Sequence, residues 1–362
     1  MKSLQRIGAV VSKELRQLRR DRLTFGMIVG IPVMQLLLFG YAINMDVRNL
    51  DAGVADLANT SASRQFVMDL ARSQVIRVTH QAGSAAELEA LMRRGAITVG
   101  LYLPGDFDRR LQQPERAAAQ LLIDGSDPVV QGAVARLGQA ARTSPYADTP
   151  GLLEIRTLYN PERRSPVNTV PGLVGVILTM TMILFTAVAI VRERERGNLE
   201  LLINTPIRTS ELMVAKILPY IFIGLVQVTL ILLVGVLLFD VPIRGALLDA
   251  YLVALVFIIA NLALGLMIST LAQNQFQAMQ MTFFILLPSI LLSGFMFPFD
   301  GMPAPAQWIA EVLPMTHFMR LIRGVVLRGA SLPEMAGELL VLGVFILVAM
   351  TFAIKRFHKR LD

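Results

Sequence analysis

The sequence predicts a polytopic α-helical membrane protein with six transmembrane helices and an α/β extracytoplasmic domain inserted between helices 1 and 2. Three observations predict it. Of 362 residues, 54% are hydrophobic and only 17% charged, whereas a typical soluble domain carries about 25% charged residues. The apolar residues fall in long uncharged runs, and a bilayer core about 30 Å thick takes about 20 helical residues to cross. One long stretch, 46–164, has no such run and no net charge, with 14 Arg, no Lys and 14 Asp plus Glu. The formal charge of +7 therefore sits on the rest of the chain.

Residues 1–22 come first. Ile7, Val10, Val11, Leu15 and Leu18 recur at helical spacing, with Lys13, Arg16, Arg19 and Arg20 mostly on other faces. This suits an amphipathic helix on the inner leaflet, or equally a basic tail that orients the first span. Four uncharged runs reach spanning length: 23–45, 165–191, 217–239 and 250–299. The first is too long and starts too far from the N-terminus for an ordinary signal peptide, so it reads as an anchor. The last is long enough for two helices, with Gln273-Asn274-Gln275 as the hairpin turn. A shorter run, 339–354, spans only if Glu338 or Lys355 snorkels. Seven Lys and Arg precede the first span, five lie in 192–216 and four follow Ile354. Those segments belong in the cytoplasm, both termini included, and 46–164 outside it. Arg320, Arg323 and Arg328 conflict with this pattern, since they precede the last span on the outer side.

Within 46–164, β-rich runs alternate with helical ones. Strands are expected at 52–57, 75–81, 97–103, 119–124 and 153–159, and helices at 61–72, 85–94, 106–112 and 128–142. Asp127-Pro128 reads as an N-cap followed by Pro at the first helical position, and Pro104-Gly105 as a turn. Asp106, Asp108, Asp124 and Asp127 all sit near strand ends, where caps and turns explain them more simply than catalysis or metal binding.

The loop after the second span runs from Arg192 to Pro206. Alternating charges give way to a short apolar helix stopped by Asn204-Thr205-Pro206, a compact element able to carry force from a partner, or else a solvated connector. After Phe297, prolines and glycines forbid one continuous helix while apolar content forbids a free loop. Short helices dipping into the outer interface, with Trp308 at headgroup depth, satisfy both constraints. The polar residues inside the spans are amides and hydroxyls, among them Gln35, Asn44, Thr181, Gln227, Asn261, Gln277 and Gln280. No carboxylate or histidine lies within the predicted spans, so a proton- or ion-coupled pump lacks its usual group.

Several chemistries are excluded or disfavoured. There is no cysteine, and three scattered histidines form no ligand cluster. No Gly-x-x-x-x-Gly-Lys-Ser/Thr loop is present, so the chain is not itself an ATPase. The basic excess flanks apolar blocks and suits anionic lipid better than nucleic acid.

Four segments together carry a resemblance. They are Lys13-Glu14-Leu15 to Arg20-Asp21-Arg22, Tyr159-Asn160-Pro161 to Val170-Pro171-Gly172, the loop Arg192 to Pro206, and Ser293-Gly294-Phe295-Met296-Phe297-Pro298 to Met302-Pro303. The whole chain resembles the permease subunits of type-2 ABC exporters, in the drug-exporter-like branch with a large periplasmic domain. Members often read Gly-Thr and Gly-Lys where this chain has Gly197-Asn198 and Ala215-Lys216. The resemblance implies a connector helix at the start, with Lys13, Glu14, Arg19 and Asp21. It implies a coupling helix that docks on an ATPase, with Glu193, Glu195, Arg196, Gly197, Leu199, Glu200, Leu202 and Pro206. Gln35, Asn44, Gln277, Gln280 and Phe284 are candidates for a substrate path or dimer interface. The implied function is export of a hydrophobic or amphipathic substrate by a homodimer or a paralogous pair in the bacterial inner membrane. ATP and Mg would sit on a separate ATP-binding subunit and no cofactor on this chain, with membrane lipids and a periplasmic adaptor as further partners. The competing class is an integral-membrane enzyme or scaffold acting on envelope lipid or cell-wall material.

Overall fold

The computed structural model describes residues 49–113, 116–126, 130, 137, 152–162, 164–197, 209–297, 299 and 301–356, with 209–217 as backbone only. The predicted first span, the amphipathic segment before it, the helix expected over 128–142 apart from residues 130 and 137, its cap, and loop residues 198–208 lie outside the described residues.

The N-terminal part is an α/β lobe. In chain order it contains β1 (Leu50–Asp56), α1 (Ser61–Arg72), β2 (Ile76–Gln81), α2 (Ala85–Arg93), β3 (Val99–Leu103), α3 (Phe107–Leu111), β4 (Ala119–Asp124) and β5 (Leu153–Leu158). The sheet order is β2-β1-β3-β4-β5. β1 runs parallel to β2 and β3, β4 antiparallel to β3, and β5 parallel to β4. Alternation along the strands serves two apolar layers. Leu121 and Ile123 face the layer of α1 and α3, which holds Phe66 and Phe107, while Leu122 faces α2 with Leu88 and Met92. Thr60 and Ser63 form a capping box on α1, and Ser84 caps α2. Asp106 sits at the N-cap of α3 without a cap bond; its carboxylate instead pairs with Arg109 and Arg110, which holds it below the usual carboxylate range. Asp108 accepts from Thr60 Oγ1, and Asp124 from the Ser126 amide in a turn. Among the described residues no three His, Asp or Glu group to hold a metal.

Tyr159 and Asn160 lead from the lobe into the helices. Tyr159 takes φ 67°, and the buried Asn160 brackets the turn, with Oδ1 accepting from the Arg164 amide at 2.9 Å and Nδ2 donating to the Arg164 carbonyl at 3.0 Å. There α4 (Ser165–Glu195) begins, followed by α5 (Thr209–Phe239), α6 (Leu247–Leu271), α7 (Gln275–Leu292), α8 (Ala304–Val312), α9 (Pro314–Arg323), a π-helical turn (Gly324–Arg328), a 3-10 turn (Leu332–Met335) and α10 (Ala336–Arg356). Among the described residues five helices are long and apolar enough to cross a membrane: α4, α5, α6, α7 and α10. The uncharged run 250–299 does divide at Gln273–Gln275. The last helix begins three residues before the apolar run, so Glu338 lies in its first turn.

α6 is the most enclosed of the long helices. It crosses α4 where Gly265 has no Cβ; an added one would sit 2.9 Å from the Ile183 carbonyl and from Thr186. Thr181 Oγ1 donates to Gln227 Oε1 between α4 and α5, and Thr229 pairs with the Tyr251 hydroxyl between α5 and α6, so these polar residues join helices. Of the short helices expected at the interface, α8 leaves Trp308 and Val312 exposed, but α9 does not behave that way. Nine of its ten residues are buried, Pro314 to Met319, Leu321, Ile322 and Arg323, because it wedges between α4, α6 and α10. Phe318 stacks on Phe257 of α6 with centroids 4.0 Å apart.

Gly265→Leu should force α4 and α6 apart. Overpacking costs about 1–3 kcal/mol, read as a lower thermal midpoint of the purified protein in detergent, while Gly343→Leu, whose site is open, should leave that midpoint in place.

Candidate functional site

The polar side chains gather at the two ends of the helical bundle. At the end far from the lobe, α4 finishes against the α6–α7 turn. Gly197 at φ 72° ends the helix, a conformation L side chains rarely adopt, which accounts for glycine after Glu195-Arg196. Just before it, Arg194 donates to the Ala272 carbonyl at the C-cap of α6. Glu195 accepts the Gln275 backbone amide at 2.9 Å and also the Gln275 side-chain amide. A cation thus meets a helix C-terminus and an anion meets a helix N-terminus, each favoured by the backbone dipoles. The turn is satisfied from within as well: Asn274 Oδ1 caps the Gln277 amide, and Gln277 Oε1 accepts the Gln273 amide, both at 2.8 Å.

At the other end the lobe is clasped to the bundle. Arg328 reaches Asp124 Oδ2 at 3.4 Å, with side chains 9% and 3% exposed, and donates to the Arg320 carbonyl at 3.3 Å. Arg93 of α2 pairs with Glu334 at 2.9 Å. Arg244 covers the Tyr159 ring, whose hydroxyl burial and the Asp124 carboxylate push up to about 12. Arg164 donates to the Phe239 carbonyl at the C-terminus of α5. Arg320 bridges Glu311 and Glu338, and Arg323 donates to the Gly294 carbonyl. The three arginines that conflicted with the charge pattern are therefore all bonded within the fold. A cavity of about 660 Å³ opens between lobe and bundle, lined by Arg94 and Asp124 on one side and by His317, Arg320 and Glu338 on the other.

Of the coupling residues expected from sequence, Glu193, Glu195, Arg196 and Gly197 are described, while Leu199, Glu200, Leu202 and Pro206 lie outside the described residues, as do Lys13, Glu14, Arg19, Asp21, Gln35 and Asn44. Gln277 is buried in the hairpin turn, Gln280 is half-buried and Phe284 exposed. Sequence reasoning missed the lobe-side cluster. His317, Glu311 and Glu338 are 27 residues apart at most and on three helices, with no local spacing to mark them.

Over residues 22–355 the chain matches the profile described as ABC-2 family transporter protein. It belongs to the ABC-2 transporter family. The Escherichia coli (strain K12) protein named "Probable multidrug ABC transporter permease YbhS" is 34% identical, over 96% of this chain and 94% of its own length. "Probable multidrug ABC transporter permease YbhR" from the same organism is 27% identical over 90% and 91%. The Dictyostelium discoideum "ABC transporter G family member 20" is 24% identical over 90% of this chain but 46% of its own length. In this ABC-2 chain the described polar side chains tie helix ends together and hold the lobe against the bundle.

Arg328→Ala strips the cation from a buried carboxylate, a change that costs about 3–5 kcal/mol where a pair is fully buried. Limited proteolysis around 159–164 should then run faster than in the parent protein, with Asp124→Asn, which keeps an acceptor, in between.

Proposed function

We propose that this ABC-2 chain is the membrane-spanning permease subunit of an ATP-driven exporter that moves a hydrophobic or amphipathic substrate out of the cytoplasm or inner leaflet. Its ATPase is a separate chain, and the permease works as a homodimer or with a paralogue. The names of the Escherichia coli relatives, two of them probable multidrug ABC transporter permeases and a third "Inner membrane transport permease YhhJ", support that reading and an inner-membrane location. The existence of both a YbhS and a YbhR in one organism supports pairing with a paralogue.

The observation that carries the mechanism is the latch at the far end of the bundle. Arg194 and Glu195, the last residues of α4 before the loop, are bonded to both sides of the α6–α7 turn. A force on the loop 197–206 therefore reaches three long helices at once, through contacts that tolerate little play. On this reading the loop is the coupling element, with Glu193, Glu195, Arg196, Gly197, Leu199, Glu200, Leu202 and Pro206, and Lys13, Glu14, Arg19 and Asp21 belong to a connector helix beside it. Residues 23–45 form a sixth span, both termini are cytoplasmic, and the lobe stands outside, where an adaptor protein is a candidate partner. The exposed Phe276, Met279, Phe283 and Phe284 of α7 supply an apolar face for a second permease or a substrate, and Gln35, Asn44, Gln277 and Gln280 remain polar candidates for the substrate path or dimer interface.

Purification from membranes should bring down an ATPase chain with a phosphate-binding loop. In the reconstituted complex, Glu195→Arg should cut substrate-stimulated ATP hydrolysis at least tenfold with normal membrane insertion, and Leu199→Asp should do the same; undiminished stimulation in both removes the loop from the mechanism. Topology is checked in this thiol-free chain by single cysteines at Ser61 and Asn204, which should label from opposite faces of the membrane.

A further inference from the structure

His317 on α9 is buried, 3% exposed, yet both its ring nitrogens meet oxygen atoms. Nδ1 is 2.5 Å from Glu338 Oε2 and Nε2 is 2.8 Å from the Glu311 backbone carbonyl. A neutral imidazole has one N–H and one lone pair, so it satisfies a single acceptor and turns a lone pair on the other. A protonated Glu338 donating to a neutral ring would relieve this, but Arg320 donates to Glu338 Oε1 at 3.2 Å and to Glu311 Oε1 at 2.6 Å, which suits two carboxylates. We propose that His317 is a proton-binding site open to the lobe-side cavity, and that the proton bound there ties α8, α9 and α10 into one block.

Charged groups near the ring come from the three helices it joins. α8 supplies Glu311, with Oε2 3.7 Å from Nε2; α9 supplies Arg320 and, one turn on, Arg323; α10 supplies Glu338. Arg328 of the π-helical turn, Glu334 of the 3-10 turn, and Asp124 and Arg94 of the lobe complete the charged lining of the cavity. Among the four directly bonded groups, imidazolium and Arg320 balance Glu311 and Glu338. Without the proton the same four carry one net negative charge around a buried ring, which is unfavourable. The cavity's volume of about 660 Å³ holds many waters at about 30 Å³ each, so protons from lobe-side solvent reach the ring.

Burial alone pushes this imidazole down, but its hydrogen bonds to Glu338 and the Glu311 carbonyl outweigh burial and leave it above the ordinary histidine value. The stabilisation is then fully present below about pH 6.5 and is lost as pH rises through the raised value. Because Arg328 links the Arg320 carbonyl to Asp124, loosening the block also loosens the seat of the lobe.

Trp308, the single tryptophan of the chain, lies on α8 three residues before Glu311 and reports the event without any substrate or ATPase. The full chain in lipid nanodiscs is titrated from about pH 5.5 to about 9.5, bracketing the histidine range, while Trp308 emission is followed. The wild type should show one transition with a midpoint above about 6.5. His317→Gln should abolish it, and Glu338→Gln, which removes the opposing charge, should move it down by about one unit or more. A flat wild-type titration, or an unchanged transition in His317→Gln, overturns the proposal. Should His317→Gln not fold, Glu338→Gln decides alone, and an unmoved midpoint there overturns it equally.

Discussion

A polar group inside an apolar bundle has no water to turn to, so a partner within the protein or a place where the bundle ends is strongly favoured, though the Thr179 and Thr186 hydroxyls have neither. This constraint orders the structure. Thr181 meets Gln227, Thr229 meets Tyr251, and Asn261 and Thr282 bond back to their own helix carbonyls. The ionic groups with described partners sit at the ends. There the backbone itself is short of partners, since each helix leaves its first amides and last carbonyls unbonded. Arg194 on Ala272, Glu195 on Gln275 and Arg164 on Phe239 fill those vacancies. The side chains that hold the helix ends together are thus the ones the broken backbone ladder demands.

The same economy gives the bundle a mechanical axis. α6 is 25 residues long, about 38 Å at 1.5 Å per residue. Its far end is tied to the last turn of α4 through Ala272, and nearer the lobe Phe257 stacks on Phe318, the neighbour of His317. Close packing makes such a helix move as a body rather than bend locally. A continuous run of contacts therefore joins the Glu195–Gln275 latch to α9 and, through Arg320 and Arg328, to the lobe.

How much of this was legible depends on the range of the interaction. The long spans follow from uncharged runs, and the α6–α7 break from three consecutive polar residues, because both signals are local. β4 and α1 carry the bounds expected from the alternation of β-rich and helical runs. Sheet order was not legible: β4 reverses against β3 while β5 runs parallel to β4, and strand direction leaves no trace in side-chain period. The burial of α9 was not legible for a related reason: the partners of His317, Arg320 and Arg323, which are Glu338, Glu311 and Gly294, come from other elements.

That last point also settles why three arginines stand just before the final span. A count of basic residues alone assigns Arg320, Arg323 and Arg328 to the cytoplasm. Yet the segment 301–338 also contains Glu311, Glu334 and Glu338, so its formal charge, His317 being neutral, is three minus three. In the fold Arg320 takes two of those carboxylates, Arg328 takes Asp124 of the lobe, and Glu334 takes Arg93. The charge that a topology rule weighs as free is here committed to holding short helices against a lobe and a long helix. Basic residues bonded in this way say more about what must stay docked than about which side of the membrane they face.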